Sequence, residues 1–304
     1  MAFIRRKRKG TSHYYELVEN TRVKDKVRQK ALKYFPTKKE AEEYAKKEGL
    51  AIPEEGGWIE NTLSKKIEEK LEKLNSLRPL PPSAVEKLNS KFEVDMTYNS
   101  NAIEGNRLSL RETWLVLRRG LTIAGKSLKE HLEATNHKDA LQQLEKIAAK
   151  SGQVTEMDVL SLHAAILDKI DPLNAGFYRH EQVYIEGSKI TLPNWRKVPE
   201  LMQSVYAELN NKSKGIEALE SAVKIHYQTV RIHPFVDGNG RLARLLMNLR
   251  LIKAGFPPAI LRKEERRSYY SALDKADAGD FRPFAMLIAS DVENSLDSWL
   301  SAFE

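Results

Sequence analysis

A run of twelve residues, His233 to Arg244, constrains this chain more than any other stretch. It reads His-Pro-Phe-Val-Asp-Gly-Asn-Gly-Arg-Leu-Ala-Arg. Gly238 and Gly240 allow the backbone to turn tightly and to bring N–H groups close to an anion. The stretch that begins at Arg241 has the pattern of a helix, and a loop of N–H groups leading into a helix N-terminus is an anion site. The run therefore predicts a loop–helix junction that holds phosphate.

The polar side chains of this run supply the other groups that a nucleotide reaction needs. Arg241 and Arg244 are three residues apart, so both can reach the same side of the first helical turn. Asp237 offers a hard carboxylate oxygen for Mg²⁺, the ion that accompanies nucleotide polyphosphates. His233 is the one side chain here that can take up a proton near neutral pH. A helix-capping turn with surface arginines and a core histidine is the simpler alternative.

The run matches His-x-Phe-x-(Asp/Glu)-Gly-Asn-Gly-Arg-x-x-Arg at every specified position and so resembles the signature of the Fic family. Enzymes of that family transfer AMP from ATP to hydroxyl groups of proteins. The resemblance implies a protein adenylyltransferase with ATP as substrate, His233 as general base and Asp237 as the Mg²⁺ ligand. The target would be a Ser, Thr or Tyr hydroxyl of a protein that the sequence does not name. The residues of the run that would bind the nucleotide are Gly238, Asn239, Gly240, Arg241 and Arg244.

A second motif lies upstream, at Ser100-Asn-Ala-Ile-Glu104-Gly105. By itself it predicts a helix that ends at Gly105, with Ser100 and Glu104 one turn apart. Beside the downstream run it resembles the Fic inhibitory motif, (Ser/Thr)-x-x-x-Glu-(Gly/Asn), in the class with an N-terminal inhibitory helix. The resemblance implies that Glu104 pairs with Arg244 in a bidentate bridge and withholds this arginine from ATP.

The resemblance assigns two further segments to the nucleotide. Alternating apolar and polar residues over 183–191 predict a β-hairpin with its turn at 186–188, and a long loop that happens to alternate is the alternative. In the Fic family such a hairpin is a flap that covers the nucleotide and adds the target segment as an extra strand. The flap residues that would line the ATP site are Ile185, Glu186, Gly187 and Ser188. Tyr269 and Tyr270 resemble the adenine side of the site, where they would stack on or pack beside the base, although ordinary interface aromatics fit the same pattern.

The rest of the chain predicts a mainly α fold: a helical Fic core with one β-hairpin flap, preceded by a small basic β-rich module. Residues 2–35 have the pattern of short strands, and Thr37-x-x-Glu40 is a capping box that opens a helix. We expect three parts: 1–55 for the basic module and its helix, 56–125 for a helical segment with the inhibitory motif, and 126–304 for the Fic catalytic core and the C-terminal helices. The other predicted helices are 63–77, a segment from 83, 110–119, 126–149, 155–170, 197–210, 216–231, 241–254, 266–277 and 281–301.

The net charge of +8 is concentrated at one end of the chain. Residues 1–50 hold 15 Lys/Arg and 7 Asp/Glu, whereas the remaining residues hold 35 of each. Such asymmetry is typical of an arm that meets an acidic partner, and it predicts a DNA contact through residues 1–36. A merely solvated basic face is the alternative.

Composition narrows the class of protein further. The chain contains no cysteine, which excludes disulfides and Cys-ligated zinc and is compatible with a reducing cytoplasm. No apolar run approaches the roughly 20 residues of a membrane helix, so we expect a cytoplasmic protein without membrane contact. Two other functions stay open, a DNA-associated regulator and a bifunctional enzyme that also removes AMP. A homo-oligomer stays open as well, since inhibition in the Fic family can depend on it.

Overall fold

The computed structural model describes residues 2–9, 12–23, 26–48, 57–185 and 190–303. The chain divides into two compact units, Met1–Gly56 and Gly57–Glu304. Among the described residues, no helix has the length and apolar character needed to cross a membrane.

The described part of the N-terminal unit is a three-stranded antiparallel sheet with one helix. The elements are β1 (Ala2–Lys9), β2 (Ser12–Val23), β3 (Lys26–Phe35) and α1 (Lys38–Lys47), with β2 in the centre of the sheet. The hydroxyl of Thr37 accepts the Glu40 N–H at 3.3 Å, which caps α1. Leu17 and Phe35 pack against Ala41 and Ala45, so the helix covers one face of the sheet.

The described part of the second unit is helical, which confirms the mainly α prediction. Its helices are α2 (Asn61–Ser76), α3 (Pro82–Ile103), α4 (Leu110–Arg119), α5 (Leu128–Ala149), α6 (Glu156–Leu167), α7 (Val198–Leu209), α8 (Gly215–Ile232), α9 (Asn239–Lys253), α10 (Arg266–Asp277) and α11 (Arg282–Leu300). Capping boxes fix where three of them begin, because each satisfies N–H groups that the first turn leaves unpaired. The pairs are Ser109 with Glu112, Ser127 with Glu130, and Thr155 with Asp158.

Helix α9 lies at the centre of this unit. Every residue from Arg241 to Leu251 is buried, so the helix is enclosed on all sides. Leu242, Leu245 and neighbouring leucines pack into one apolar cluster, whereas Met247 and Leu251 pack into another. Burial leaves the arginines of α9 dependent on partners inside the protein.

Two predicted elements outside the loop–helix junction differ clearly from the structure. The helix expected over 155–170 ends at Leu167, because Asp168 has a non-helical ψ of 132° and Lys169 a left-handed φ of 58°. The hairpin expected over 183–191 shows no strand in residues 182–185 and 190–194, while its turn at 186–188 lies outside the described residues. A side chain joins the two ends of this segment: the Gln182 amide donates to the Leu192 carbonyl at 3.2 Å.

Candidate active site

The loop–helix junction forms as expected, with its helix beginning earlier than predicted. Gly238 takes the left-handed conformation, φ 77°, so α9 begins at Asn239 rather than at Arg241. The Leu242 N–H donates to the Gly238 carbonyl at 2.9 Å and closes the first turn. An α-helix leaves its leading N–H groups without intrahelical partners. The N–H groups of Asn239, Gly240 and Arg241 therefore stand at the positive end of the helix dipole, where an anion is stabilised.

The loop before this helix is held by a side chain of the helix itself. The Asn239 amide accepts the Phe235 N–H and donates to the Phe235 carbonyl, both at 2.9 Å. Only the main chain of Asn239 is therefore available to a nucleotide. The Phe235 ring is fully buried and stacks on the His163 ring, with 3.6 Å between the ring centroids. These contacts fix the loop from within the core.

His163 is a positioning residue that the sequence did not reveal. Its Nδ1 accepts the Gly176 N–H at 3.0 Å, so the proton lies on Nε2, which donates to the Asp237 carbonyl at 2.9 Å. Burial lowers the pKa of His163 to about 4, so the ring stays neutral near neutral pH. The two hydrogen-bond partners of His163 lie 13 and 74 residues away in the chain, so no local sequence pattern predicts these contacts.

His233 follows the last residue of α8 in a left-handed conformation, φ 50°. Its Nδ1 lies 3.2 Å from the Val230 carbonyl, which can only accept, so the proton lies on Nδ1 and Nε2 keeps its lone pair. Burial lowers the pKa of His233, because the imidazolium would lose hydration. Near neutral pH this side chain is a neutral base.

Arg179 holds the carbonyl of the candidate base in place. The side chain is 2% exposed, and its Nε donates to the His233 carbonyl at 2.8 Å. Its other nitrogens donate to the Glu181 and Pro193 carbonyls at 2.9 and 2.6 Å. One buried guanidinium thus joins both ends of the 181–193 segment to the turn at His233.

Ser100 and Glu104 meet Arg244 as the upstream motif implies, with one correction. Arg244 Nη2 donates to Glu104 Oε1 at 2.7 Å, which is a single contact rather than a bidentate bridge. Ser100 provides the other two contacts of the guanidinium. Its hydroxyl accepts a hydrogen bond from Arg244 Nε and its carbonyl accepts one from Nη2, each at 2.9 Å. Because Ser100 takes one edge of the guanidinium, Glu104 reaches only the end of it.

The position of Glu104 follows from how α3 ends. Gly105 has a φ of 100°, and the Asn106 N–H donates to the Asn101 carbonyl at 3.0 Å, which closes the helix in a Schellman motif. A Cβ atom at Gly240 would collide with Glu104 Oε1. The upstream motif thus both ends a helix and pairs Glu104 with Arg244. The Glu104 carboxylate lies against the first turn of α9.

Arg241 and Asp237 make a second set of contacts at this turn. Arg241 is 3% exposed, with Nη2 3.5 Å from Asp237 Oδ2 and Nη1 3.8 Å from Glu133 Oε1. Asp237 Oδ1 accepts the Gly238 N–H at 2.6 Å, and half of its side chain is exposed. Glu133 comes from α5, and the sequence did not reveal it. Over the described ranges, no group of three or more His, Asp or Glu could hold a metal on its own.

The aromatic residues predicted on the adenine side differ from each other. Tyr269 is 2% exposed, and its ring packs edge-on to His226 and against Phe284. The core thus covers the ring of Tyr269, and its expected place on or beside the adenine base stays a prediction. Tyr270 is 39% exposed, with the Arg266 guanidinium 5.2 Å from its ring centroid. Of the predicted flap residues, Ile185 is half-buried, and Glu186, Gly187 and Ser188 lie outside the described residues.

Comparison with known proteins gives consistent relatives. A family model described as the Fic/DOC family matches residues 153–251. The chain is 36% identical over 237 residues to a protein of Drosophila virilis named Protein adenylyltransferase Fic, covering 78% of this chain and 48% of that protein. It is 35% identical over 246 residues to the protein of the same name in Nematostella vectensis, covering 80% and 57%. The chain thus spans about half the length of these curated relatives.

Solved structures extend the likeness to the fold. Fic-1 of Caenorhabditis elegans (C. elegans), solved over part of its chain, superposes with a TM-score of 0.72 at 34% identity, covering 79% of this chain and 72% of that one. A Fic domain containing signaling protein of Bacteroides thetaiotaomicron superposes with a TM-score of 0.71 at 30% identity, covering 78% and 96%.

Proposed function

The chain belongs to the Fic/DOC family, and we propose that it transfers AMP from ATP to a Ser, Thr or Tyr hydroxyl of a target protein. The observation that carries the proposal is the junction between α8 and α9. The neutral imidazole of His233 precedes the start of α9 by six residues. The first three N–H groups of that helix, from Asn239 to Arg241, have no partner within the helix. The junction also places two buried arginines on the first turns of the same helix.

The proposed reaction is an in-line displacement at the α-phosphorus. The target hydroxyl oxygen forms a bond to that phosphorus while its proton passes to Nε2 of His233. The bond from the α-phosphorus to the bridging oxygen breaks, and pyrophosphate leaves. The N–H groups at the start of α9 stabilise the charge that develops on the α-phosphate. Arg241 and Arg244 hold the outer phosphates.

Asp237 is the residue that we propose for Mg²⁺. Its carboxylate is half exposed, and Oδ2 is 3.5 Å from Arg241, too far for a strong hydrogen bond. Magnesium needs only one or two carboxylates in such sites, because waters and substrate phosphates complete its shell. When bound, the ion would neutralise charge on the phosphates.

Replacing Asp237 with alanine should weaken ATP binding about tenfold or more when Mg²⁺ is present, by analogy with the loss of metal-site groups. Binding in the presence of a chelator should hardly change, because the carboxylate acts through the ion. Calorimetric titration of ATP with and without Mg²⁺ measures both. Asp139→Ala, at an exposed position of α5, is the control. A loss of equal size without Mg²⁺ would contradict the assignment.

The pH dependence of transfer should reveal the environment of His233. A base must be unprotonated, and burial moves the pKa of His233 below 6.5. Transfer by an uninhibited variant is therefore expected to hold its rate as the pH falls to 6.5 and to decline only below that value. Initial rates in buffers of constant ionic strength test this, and a midpoint above 6.5 would show that another group limits the reaction.

We also propose that Glu104 restrains the reaction. Its carboxylate engages Arg244, one of the two arginines proposed to hold ATP, and lies against Gly240. ATP whose outer phosphates cannot reach Arg244 would present its α-phosphate in a displaced position. A displacement of about 1 Å can cost on the order of a hundredfold in rate.

A further inference from the structure

A cavity of about 470 Å³ lies among helices α2, α3, α5, α9 and α11 of the second unit. Twelve of its sixteen lining residues are apolar, and its volume falls within the range of about 300 to 1,000 Å³ that is usual for small-molecule sites. None of the described residues proposed to take part in AMP transfer lines it. The cavity is therefore a candidate site of its own.

Two of the aromatic side chains that line the cavity pack against each other. The ring of Phe92, on α3, meets that of Trp299, on α11, edge to face, with 6.2 Å between the ring centroids. Both residues are more than nine-tenths buried. The faces of aromatic rings carry partial negative charge and attract a cation within about 6 Å. Such a lining accommodates an apolar group and also stabilises a positive charge beside it.

Two carboxylates in the lining add negative charge. Glu93 Oε1 lies 3.0 Å from Arg118 Nη2, so the charge of Glu93 is balanced. Glu145, on α5, has no ion-pair partner among the described residues. Partial burial and the negative charge of Glu93 raise the pKa of Glu145, because both disfavour its ionised form. A cation in the cavity would stabilise that ionised form.

The arginines near the cavity are engaged by other groups. Arg78 is the one Lys or Arg among the described lining residues, and its Nη2 donates to the Gly255 carbonyl at 3.0 Å. Arg118 Nη2 also donates to the Ser90 carbonyl, at 2.8 Å. Neither guanidinium pairs with Glu145, so this carboxylate is the group that a cationic ligand would meet.

We propose that the cavity binds a small organic cation, with its ammonium group paired to Glu145 and its apolar body against Phe92 and Trp299. The apolar lining removes the body of the ligand from water, and the carboxylate selects its charge. A neutral ligand leaves Glu145 unpaired, and an anion adds a third negative charge beside Glu93 and Glu145.

Binding of phenethylammonium to the full-length chain tests the proposal, with phenethyl alcohol as the neutral counterpart. Calorimetric titration without ATP measures both affinities, so the outcome does not depend on the transfer reaction. The ammonium probe should bind about tenfold more tightly than the alcohol, as a charged hydrogen bond predicts. Glu145→Gln, at a partly exposed position, should reduce this preference to about twofold or less, because the amide carries no charge.

Glu200→Gln is the matched control, because it removes the same charge from an exposed position of α7, which does not contribute to the described lining. It should leave the preference unchanged. Ala149→Phe places a ring at a lining position and should weaken binding of both probes.

Three results would overturn the proposal. One is a native chain that binds the ammonium probe no more tightly than the alcohol. Another is an equal effect of Glu145→Gln and Glu200→Gln on the preference. The last is binding of the ammonium probe that Ala149→Phe does not weaken.

Discussion

Glu104→Gly is expected to raise self-labelling of the protein with α-labelled ATP by about tenfold to a hundredfold. The substitution removes the carboxylate that contacts Arg244 Nη2 at 2.7 Å and lies against Gly240. Ser100 would still hold Arg244 Nε, so the guanidinium keeps its place and gains a free edge for phosphate. The end of α3 should survive, since Gly105 supplies its left-handed residue. Gel autoradiography at matched protein concentrations measures the effect.

Glu104→Gln is the matched variant for this experiment. It keeps the size of the side chain and removes its charge, so it separates blocking of the space from pairing with Arg244. We expect labelling between that of the native chain and that of Glu104→Gly. Equal labelling of all three proteins would show that residues 100–105 only end a helix and do not restrain the reaction.

His233→Ala, made in the Glu104→Gly background, is expected to lower labelling by about a hundredfold to ten-thousandfold. The base acts only on the incoming hydroxyl, so the affinity for ATP should change by less than about threefold. Rates from labelled ATP and affinities from calorimetry separate the two quantities. His180→Ala, at an exposed position, serves as the control. A double variant that labels itself as fast as Glu104→Gly would remove His233 from the reaction.

The sequence predicted the parts of this site that are local in the chain. The glycines, Asp237 and the arginines of the run lie within one loop and the first two helical turns, so their spacing alone places them together. The helices were predictable because their apolar periodicity is strong and three of them begin at capping boxes. The start of α9 was placed too late, because a glycine N-cap leaves no side-chain signal.

The supporting residues could not be predicted, because each acts across the fold. His163, Arg179 and Glu133 come from outside the run and reach it through carbonyls or through Arg241. Hydrogen bonds to carbonyls depend on tertiary position and leave no pattern in the sequence.

The structure adds physical detail to two further expectations. Adjacent residues on a helix point about 100° apart. The two rings lie 5.0 Å apart, but Tyr269 turns into the core whereas Tyr270 stays partly exposed. Alternation over 183–191 predicted strands, but the described ends of this segment are joined through the Arg179 and Gln182 side chains instead.

The central claim is that the protein transfers AMP with His233 as the base. It is tested most directly by identifying which phosphate of ATP the protein retains. Glu104→Gly protein would be incubated with Mg²⁺ and ATP labelled on either the α- or the γ-phosphate, then denatured and analysed by intact mass. The account predicts retained α-label, no retained γ-label, and a mass increase of one AMP unit that disappears in the Glu104→Gly/His233→Ala protein. Retained γ-label, or an AMP adduct that persists without His233, would contradict it.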